Sequence, residues 1–131
     1  MKWYNWTPHP ISIYDEDKKT VLRTIPPSGH EARLLTKATE RLPDVDGIRC
    51  IGARNHTCVA VVGLDENEIA AVRDETTKGE AAVIVSMLAA PMLHEMGFGF
   101  VFAPDTDKEG VVRNESGSVC GTIQLARYDN Q

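Results

Sequence analysis

The chain is predicted to fold as one α+β domain over residues 1–131, an antiparallel sheet of hairpins carrying two short helices. Three observations predict it. Short runs rich in β-branched residues recur between clusters of Gly, Pro, Asn and Asp. A D-x-x-E capping signal at Asp65 and Glu68 opens a helical pattern that Gly79 stops, and Ser86 heads a second, apolar pattern that Gly97 stops. With 131 residues, 42% apolar and 25% charged, the chain has the composition of a globular domain with one core, able to bury about two-thirds of its unfolded surface. No internal repeat, low-complexity tract or long linker divides it.

The first distinctive stretch is Asn5 to Ile13, NWTPHPISI. Pro8 and Pro10 fix their own φ, remove two backbone donors and hold Thr7 and His9 extended, so no helix fits. The result is a stiff corner that lays an N-terminal strand along the core. His9 either works at this corner or packs there by bonding a carbonyl, which is the commoner fate of a constrained polar side chain. Ile11–Tyr14 and Thr20–Ile25 then form a hairpin about the turn cluster Asp15–Lys19. After PPSG, Glu31–Thr36 resumes as a strand in which Ala32 and Leu34 alternate with Arg33, Leu35 and Lys37, so Arg33 points away from the Leu34 face. Ala38–Asp46 contains Pro43, has no period and receives no assignment.

Gly47–Gly52 and Thr57–Gly63 read as a hairpin turning through Ala53–His56, with Asn55 able to take a left-handed conformation. In the first helix Ile69, Val72 and Thr76 share the inner face. Ala81–Val85 is a continuous apolar run suited to a buried strand. The second helix, Ser86 through Met96, has almost no polar face and contains Pro91, which must kink or restart it. A helix apolar all round is buried either in the core or against another subunit, and Met87, Met92 and Met96 suit an adaptable interface. Gly97–Ala103, GFGFVFA, alternates Phe98, Phe100 and Phe102 onto one face with glycines opposite, where another backbone or a flat ring can approach closely. Gly110–Asn114 and Ser118–Ala126 form a terminal hairpin about Glu115–Gly117, with Arg113 and Asn114 near its tip.

Composition excludes several function classes. A net charge of −5 argues against binding long nucleic acid, while leaving room for a few arginines around a small anion. No apolar run approaches the roughly 18 residues of a membrane helix, and MKWYNW lacks the order of a signal peptide, so a cytosolic protein is expected. Cys50, Cys58 and Cys120 lie beside apolar residues and outside any CxxC pair; they are expected to be buried thiols rather than disulfides, zinc ligands or nucleophiles. His9, His30, His56 and His94 have no metal-binding spacing, and phosphate-cradling glycine loops are absent. No metal or cofactor is expected. Arg33 and Arg113 are the charges of interest, since each sits among small or apolar strand residues. Such an arginine is most often a solvated outer-face residue, but it can aim its fork at a phosphate or carboxylate. A phenylalanine ring nearby would make a site for a phosphorylated base coherent.

The box NWTPHPISI, followed by IPPSGHEAR, AAVIVSMLAA and GVVRNESGSVCGTIQL, resembles a family of small phage and prophage proteins. That family has an Asn-x-Thr-Pro-His box, a Pro-Ser-Gly…Ala-Arg segment, an Ile-Val-Ser segment before a short helix and an Arg-Asp-Glu-x-Gly…Gly-Cys ending. The chain is similar in this to the type I Thoeris anti-defence proteins, phage sponges that bind cyclic ADP-ribose signals of bacterial immunity without cutting them. The resemblance implies a homo-oligomer in the cytoplasm of an infected host, with nucleotide pockets between subunits. It implies arginines on the phosphates, here Arg33 and Arg113, and an aromatic ring on the base, for which Phe100 is chosen. Asn114, Ser86 and His9 complete the implied ligand-binding set. Asn114 stands where an acidic residue is common, and Cys120-Gly121 reverses the usual order. Two alternatives remain: a cyclic-nucleotide-degrading enzyme using His9 or His94 as acid-base, and a phage structural or assembly component.

Overall fold

The computed structural model describes residues 1–36, 39–52 and 56–128, which form an α+β fold. In chain order the elements are β1 (Lys2–Asn5), β2 (Ile11–Tyr14), β3 (Val21–Ile25), β4 (Ala32–Thr36), β5 (Arg41–Val45), β6 (Ile48–Ile51) and β7 (His56–Val61). There follow α1 (Glu66–Thr77), β8 (Ala81–Ile84), α2 (Ala90–Glu95), β9 (Val101–Pro104), β10 (Val111–Arg113), β11 (Val119–Thr122) and β12 (Leu125–Tyr128). One sheet has the order β1-β8-β9-β12 and a second β10-β11-β2-β3, while β4 with β7 and β5 with β6 make two-stranded ladders. Among the described residues no helix is long and apolar enough to cross a membrane.

β8 is the centre of the first sheet, parallel to both β1 and β9, and all four of its residues are buried. That is why its sequence is an unbroken apolar run rather than an alternation. Its two faces feed two cores: Val83 joins Trp6, Val72, Leu93 and Phe98 beneath the helices, while Ile84 packs with Ile11 and Ile25 between the sheets. The expected single core is therefore split by this strand. α1 begins with the reciprocal bonds of a capping box, Glu68 N–H to Asp65 and Asp65 N–H to Glu68, and buries Val72 and Thr76 as the spacing required.

Several expectations are corrected. β6 and β7 do not pair with each other: β6 pairs with β5, and β7 with β4. The unassigned Arg41–Val45 is a strand because Asp46 (φ 53°) and Gly47 (φ 75°) form a two-residue reversal with Val45 opposite Ile48. Asp-Gly between apolar residues is a strong hairpin signal, and it outweighs Pro43, which sits at a register shift where no ladder bond is demanded. The turn expected at Ala53–His56, with Asn55, falls on residues 53–55, which lie outside the described residues, as do Lys37 and Ala38.

The second helix is shorter than its pattern. Ser86 Oγ accepts from Ala89 N–H at 3.2 Å in a separate turn, and α2 starts at Ala90 because Pro91 belongs in a first turn, where its missing N–H costs nothing. Ala90 and Leu93 are buried, but Met87 and Met96 are exposed and Leu88 is 67% exposed, so the segment is not enclosed on all sides. The three phenylalanines do not share a face either. Gly97 (φ 98°) and Gly99, whose N–H donates to Thr76 Oγ1 at 3.0 Å, keep the chain irregular until Val101, so strand alternation does not apply. Phe98 packs edge-on against Trp6, Phe100 lies under the Arg127 guanidinium, and Phe102 packs on Trp3. The terminal hairpin forms over β10 and β11 but ends at Thr122; β12 crosses to the first sheet and pairs with β9. Cys50 and Cys120 are half-buried free thiols rather than fully buried ones.

Candidate functional site

The corner is held by Asn5, which is wholly buried. Its Nδ2 donates to the carbonyls of His9 (2.9 Å) and Ile25 (3.1 Å), and its Oδ1 accepts from Thr7 N–H (3.1 Å) and Thr7 Oγ1 (2.6 Å). One side chain therefore ties the end of β1 to the end of β3, joining the two sheets. His9 contributes its carbonyl to the lock, not its imidazole. The ring is exposed, with no hydrogen bond among the described residues, and lines a groove. The reading in which the imidazole itself bonds a carbonyl is thus corrected: a buried amide, with two donors and an acceptor, satisfies more backbone than an imidazole can.

This groove has a volume of about 530 Å³. The corner supplies Thr7, His9, Pro10 and Ile11, the segment after β8 supplies Ser86 and Met87, and a wall from β11, the strand beside β2, supplies Val119, Cys120, Gly121 and Thr122. Most of its surface is apolar. Gly121 is required for the wall to form, because a Cβ there would lie 2.5 Å from the Ser12 carbonyl and 2.6 Å from the Tyr14 ring. Tyr14 Oη donates to Cys120 Sγ at 3.6 Å, and this bond, with desolvation, raises the Tyr14 hydroxyl above its ordinary pKa. Cys120 Sγ in turn lies 3.5 Å from the Val112 carbonyl, to which it donates, so the thiol is held between two neighbours.

Thr106 and Pro104 complete the groove, and Thr106 also lines a second one of about 550 Å³ with Lys18, Lys108, Val111 and Arg113. Two turns present these cations. Lys18 sits at φ 59°, in a reversal held by Asp17, whose Oδ1 accepts from Lys19 N–H (2.8 Å) and Thr20 N–H (2.9 Å). Those bonds, the one from Thr20 first, lower the Asp17 pKa. Lys108 lies on the loop from Asp105 to Gly110, where Asp105 is gripped by Gln124 Nε2 at 2.6 Å and by Asp107 N–H at 3.1 Å; these lower its pKa in the same way, Gln124 first. Neither Lys18 nor Lys108 makes an ion pair among the described residues. Arg113 donates through Nη1 to the Gly117 carbonyl at 2.7 Å, which leaves most of its fork available.

The expected site residues thus fall in different places. His9 and Ser86 line the apolar groove and Arg113 the cationic one. Asn114 shapes the adjoining turn: its Oδ1 accepts from Ser116 N–H, Ser116 Oγ and Ser118 N–H. Arg33 is 63% exposed, paired with Glu31 at 3.3 Å, and Phe100 faces Arg127; neither lines either groove. Lys18, Thr106 and Lys108 were not singled out by the sequence, where they lie in polar turn clusters with no motif. Among the described residues no group of His, Cys, Asp and Glu is arranged to hold a metal ion. Comparison with protein-family models, curated proteins and solved structures finds no match for the chain.

Proposed function

We propose that the protein binds and sequesters a small cyclic nucleotide of the cyclic ADP-ribose class, without cleaving it, and so acts as a phage anti-defence protein in the host cytoplasm. The observation that carries this reading is the junction at Thr106 of an apolar groove with one lined by Lys18, Lys108 and Arg113. A ligand with a flat heterocycle at one end and phosphates at the other matches that division. The heterocycle lies between the corner and β11, with the His9 ring against it, and the phosphates lie over the cations. The resemblance of the NWTPHPISI box and the later segments to anti-defence sponges supports the same ligand class.

A second reading, cleavage of such a ligand with His9 as acid-base, draws on the unbonded His9 imidazole in the groove. One experiment separates them. The purified protein is incubated with a cyclic ADP-ribose isomer, freed of unbound ligand, heated, and its supernatant assayed. Stoichiometric release of intact ligand supports sequestration; loss of the cyclic ligand from the unbound fraction with linear product in its place supports the enzyme; full recovery of intact ligand in the unbound fraction removes both.

A further inference from the structure

One strand edge of the fold stands open. β7 pairs with β4 and, among the described residues, with no second strand. Val62 N–H donates to the Glu31 carbonyl, which sets the hydrogen-bonding phase of this antiparallel ladder. Ala60, two residues back, therefore turns its N–H and C=O toward β4, while Val59 and Val61 turn theirs away. The Val61 carbonyl accepts from Leu64 N–H at 3.3 Å. Val59 N–H, Val59 C=O and Val61 N–H are left without a partner among the described residues.

A trough of about 810 Å³ runs along this edge. Val59, Ala60 and Val61 line it consecutively, as the edge of a strand does; the face of a strand would supply only alternate residues. Glu66, Ile69, Ala70 and Arg73 also line it, at the spacing of a single face of α1, together with Met96, which is 37% exposed. An open strand edge facing a helix is the setting in which an extended peptide adds as a further strand. The rim is charged unevenly. Asp65 and Glu66 stand where β7 gives way to α1, and Arg73 lies roughly 10 Å further along the helix, where a Cβ on Gly97 would come within 3.5 Å of its Cδ. None of these three side chains makes an ion pair among the described residues.

We infer that the trough takes an extended segment of a partner protein, added antiparallel beside β7, with apolar side chains at alternate positions between a basic N-terminal flank and an acidic C-terminal one. The segment residue opposite Val59 exchanges two backbone bonds with it, and the residue two before accepts from Val61 N–H. Opposed residues share a face, so both of these side chains fall on the side of Val59 and Val61, whose own side chains belong to the core beneath the helices. The antiparallel direction brings the basic flank to Asp65 and Glu66 and the acidic flank to Arg73. An amphipathic helix is the poorer occupant, because its backbone bonds are internal and the edge groups of β7 would stay unpaired.

Capped pentapeptides of the form Lys-Φ-Thr-Φ-Asp, with Φ drawn from Val, Ile, Leu and Phe, are titrated into the full chain by calorimetry. The best of them should bind in the micromolar range, as suits a small interface. N-methylation of its second Φ, the residue opposite Val59, should weaken binding about tenfold or more, and N-methylation of its Thr, whose N–H points away from β7, should not. Exchanging the two charges should also weaken it about tenfold, and Arg73→Glu should reverse the preference at the last position from Asp to Lys. No binding by any member at about 1 mM overturns the inference, including the case in which a second copy of the chain fills the trough and excludes every peptide. Equal effects of the two N-methyl groups, or indifference to charge order, overturn it as well, since the trough would then be an apolar surface without strand addition. Neither β7 nor α1 lines the ligand grooves, so failure here and failure of the nucleotide assay are separate results.

Discussion

Asn5 Nδ2 donates to the His9 carbonyl at 2.9 Å, so the residue that closes the corner is the amide buried beneath it and the histidine's ring is left facing the groove. Structure and candidate chemistry are thereby divided between two residues of one short box.

Replacing Asn5 tests the structural half. Asn5→Ala removes the side-chain partner of the Ile25 carbonyl and of Thr7 N–H, while the His9 carbonyl keeps its bond from Thr7 Oγ1 at 3.0 Å, and should cost about 3 kcal/mol of stability. For a domain of this size that lowers the melting temperature by roughly 10 °C. A shift of a degree or two in a calorimetric scan would show that the corner is held by its prolines instead.

Gly121→Ala should be destabilising by about 2 kcal/mol, because the added Cβ meets the Ser12 backbone and the Tyr14 ring rather than a side chain that can move aside. Urea denaturation of this variant beside Gly117→Ala separates close approach from conformation. Gly117 has open space around its Cα but φ 85°, so its cost, about 1 kcal/mol, is backbone strain alone.

Lys18 carries a non-glycine residue at φ 59°, and Lys18→Gly removes that strain together with a cation of the groove. The variant should gain up to about 0.5 kcal/mol in a thermal melt, the relief being partly offset by glycine's greater freedom when unfolded. It should lose several-fold in affinity for a phosphorylated ligand by titration calorimetry. Affinity unchanged in the folded variant would take Lys18 out of the site.

Arg113→Ala should weaken the same ligand by about 1–2 kcal/mol, the range for a charge-assisted bond at an exposed position, and should flatten the salt dependence of binding. Arg33→Ala should leave affinity unchanged, since its guanidinium is paired with Glu31 and lines neither groove.

Acid should unfold the protein partly through Asp17 and Asp105. Both carboxyls have pKa values lowered below the ordinary 3.8 by hydrogen bonds made only in the fold. A lowered folded value means that the stability they contribute is fully present above 3.8 and is lost as pH falls through their folded values. Melting temperatures measured from pH 6 down to about 2 should fall less steeply at the acid end for Asp105→Asn than for the parent chain.

What the sequence determined by itself was local. The capping box at Asp65 and Glu68, the buried run Ala81–Val85 and the hairpin of β2 with β3 all depend on residues within a turn or a strand of each other, and each stands where its pattern put it. The Asp46-Gly47 reversal was equally local, and its signal was present in two adjacent residues. Partner choice was not local: which strand lies beside β7, and that β8 runs parallel to β1 and β9, depend on distant chain. The grooves belong to the same class. Lys18, Thr106, Lys108 and Arg113 are drawn together by turns and strands far apart in sequence. Charge on polar turns carries no period from which their meeting could be read, so only the tertiary fold decided it.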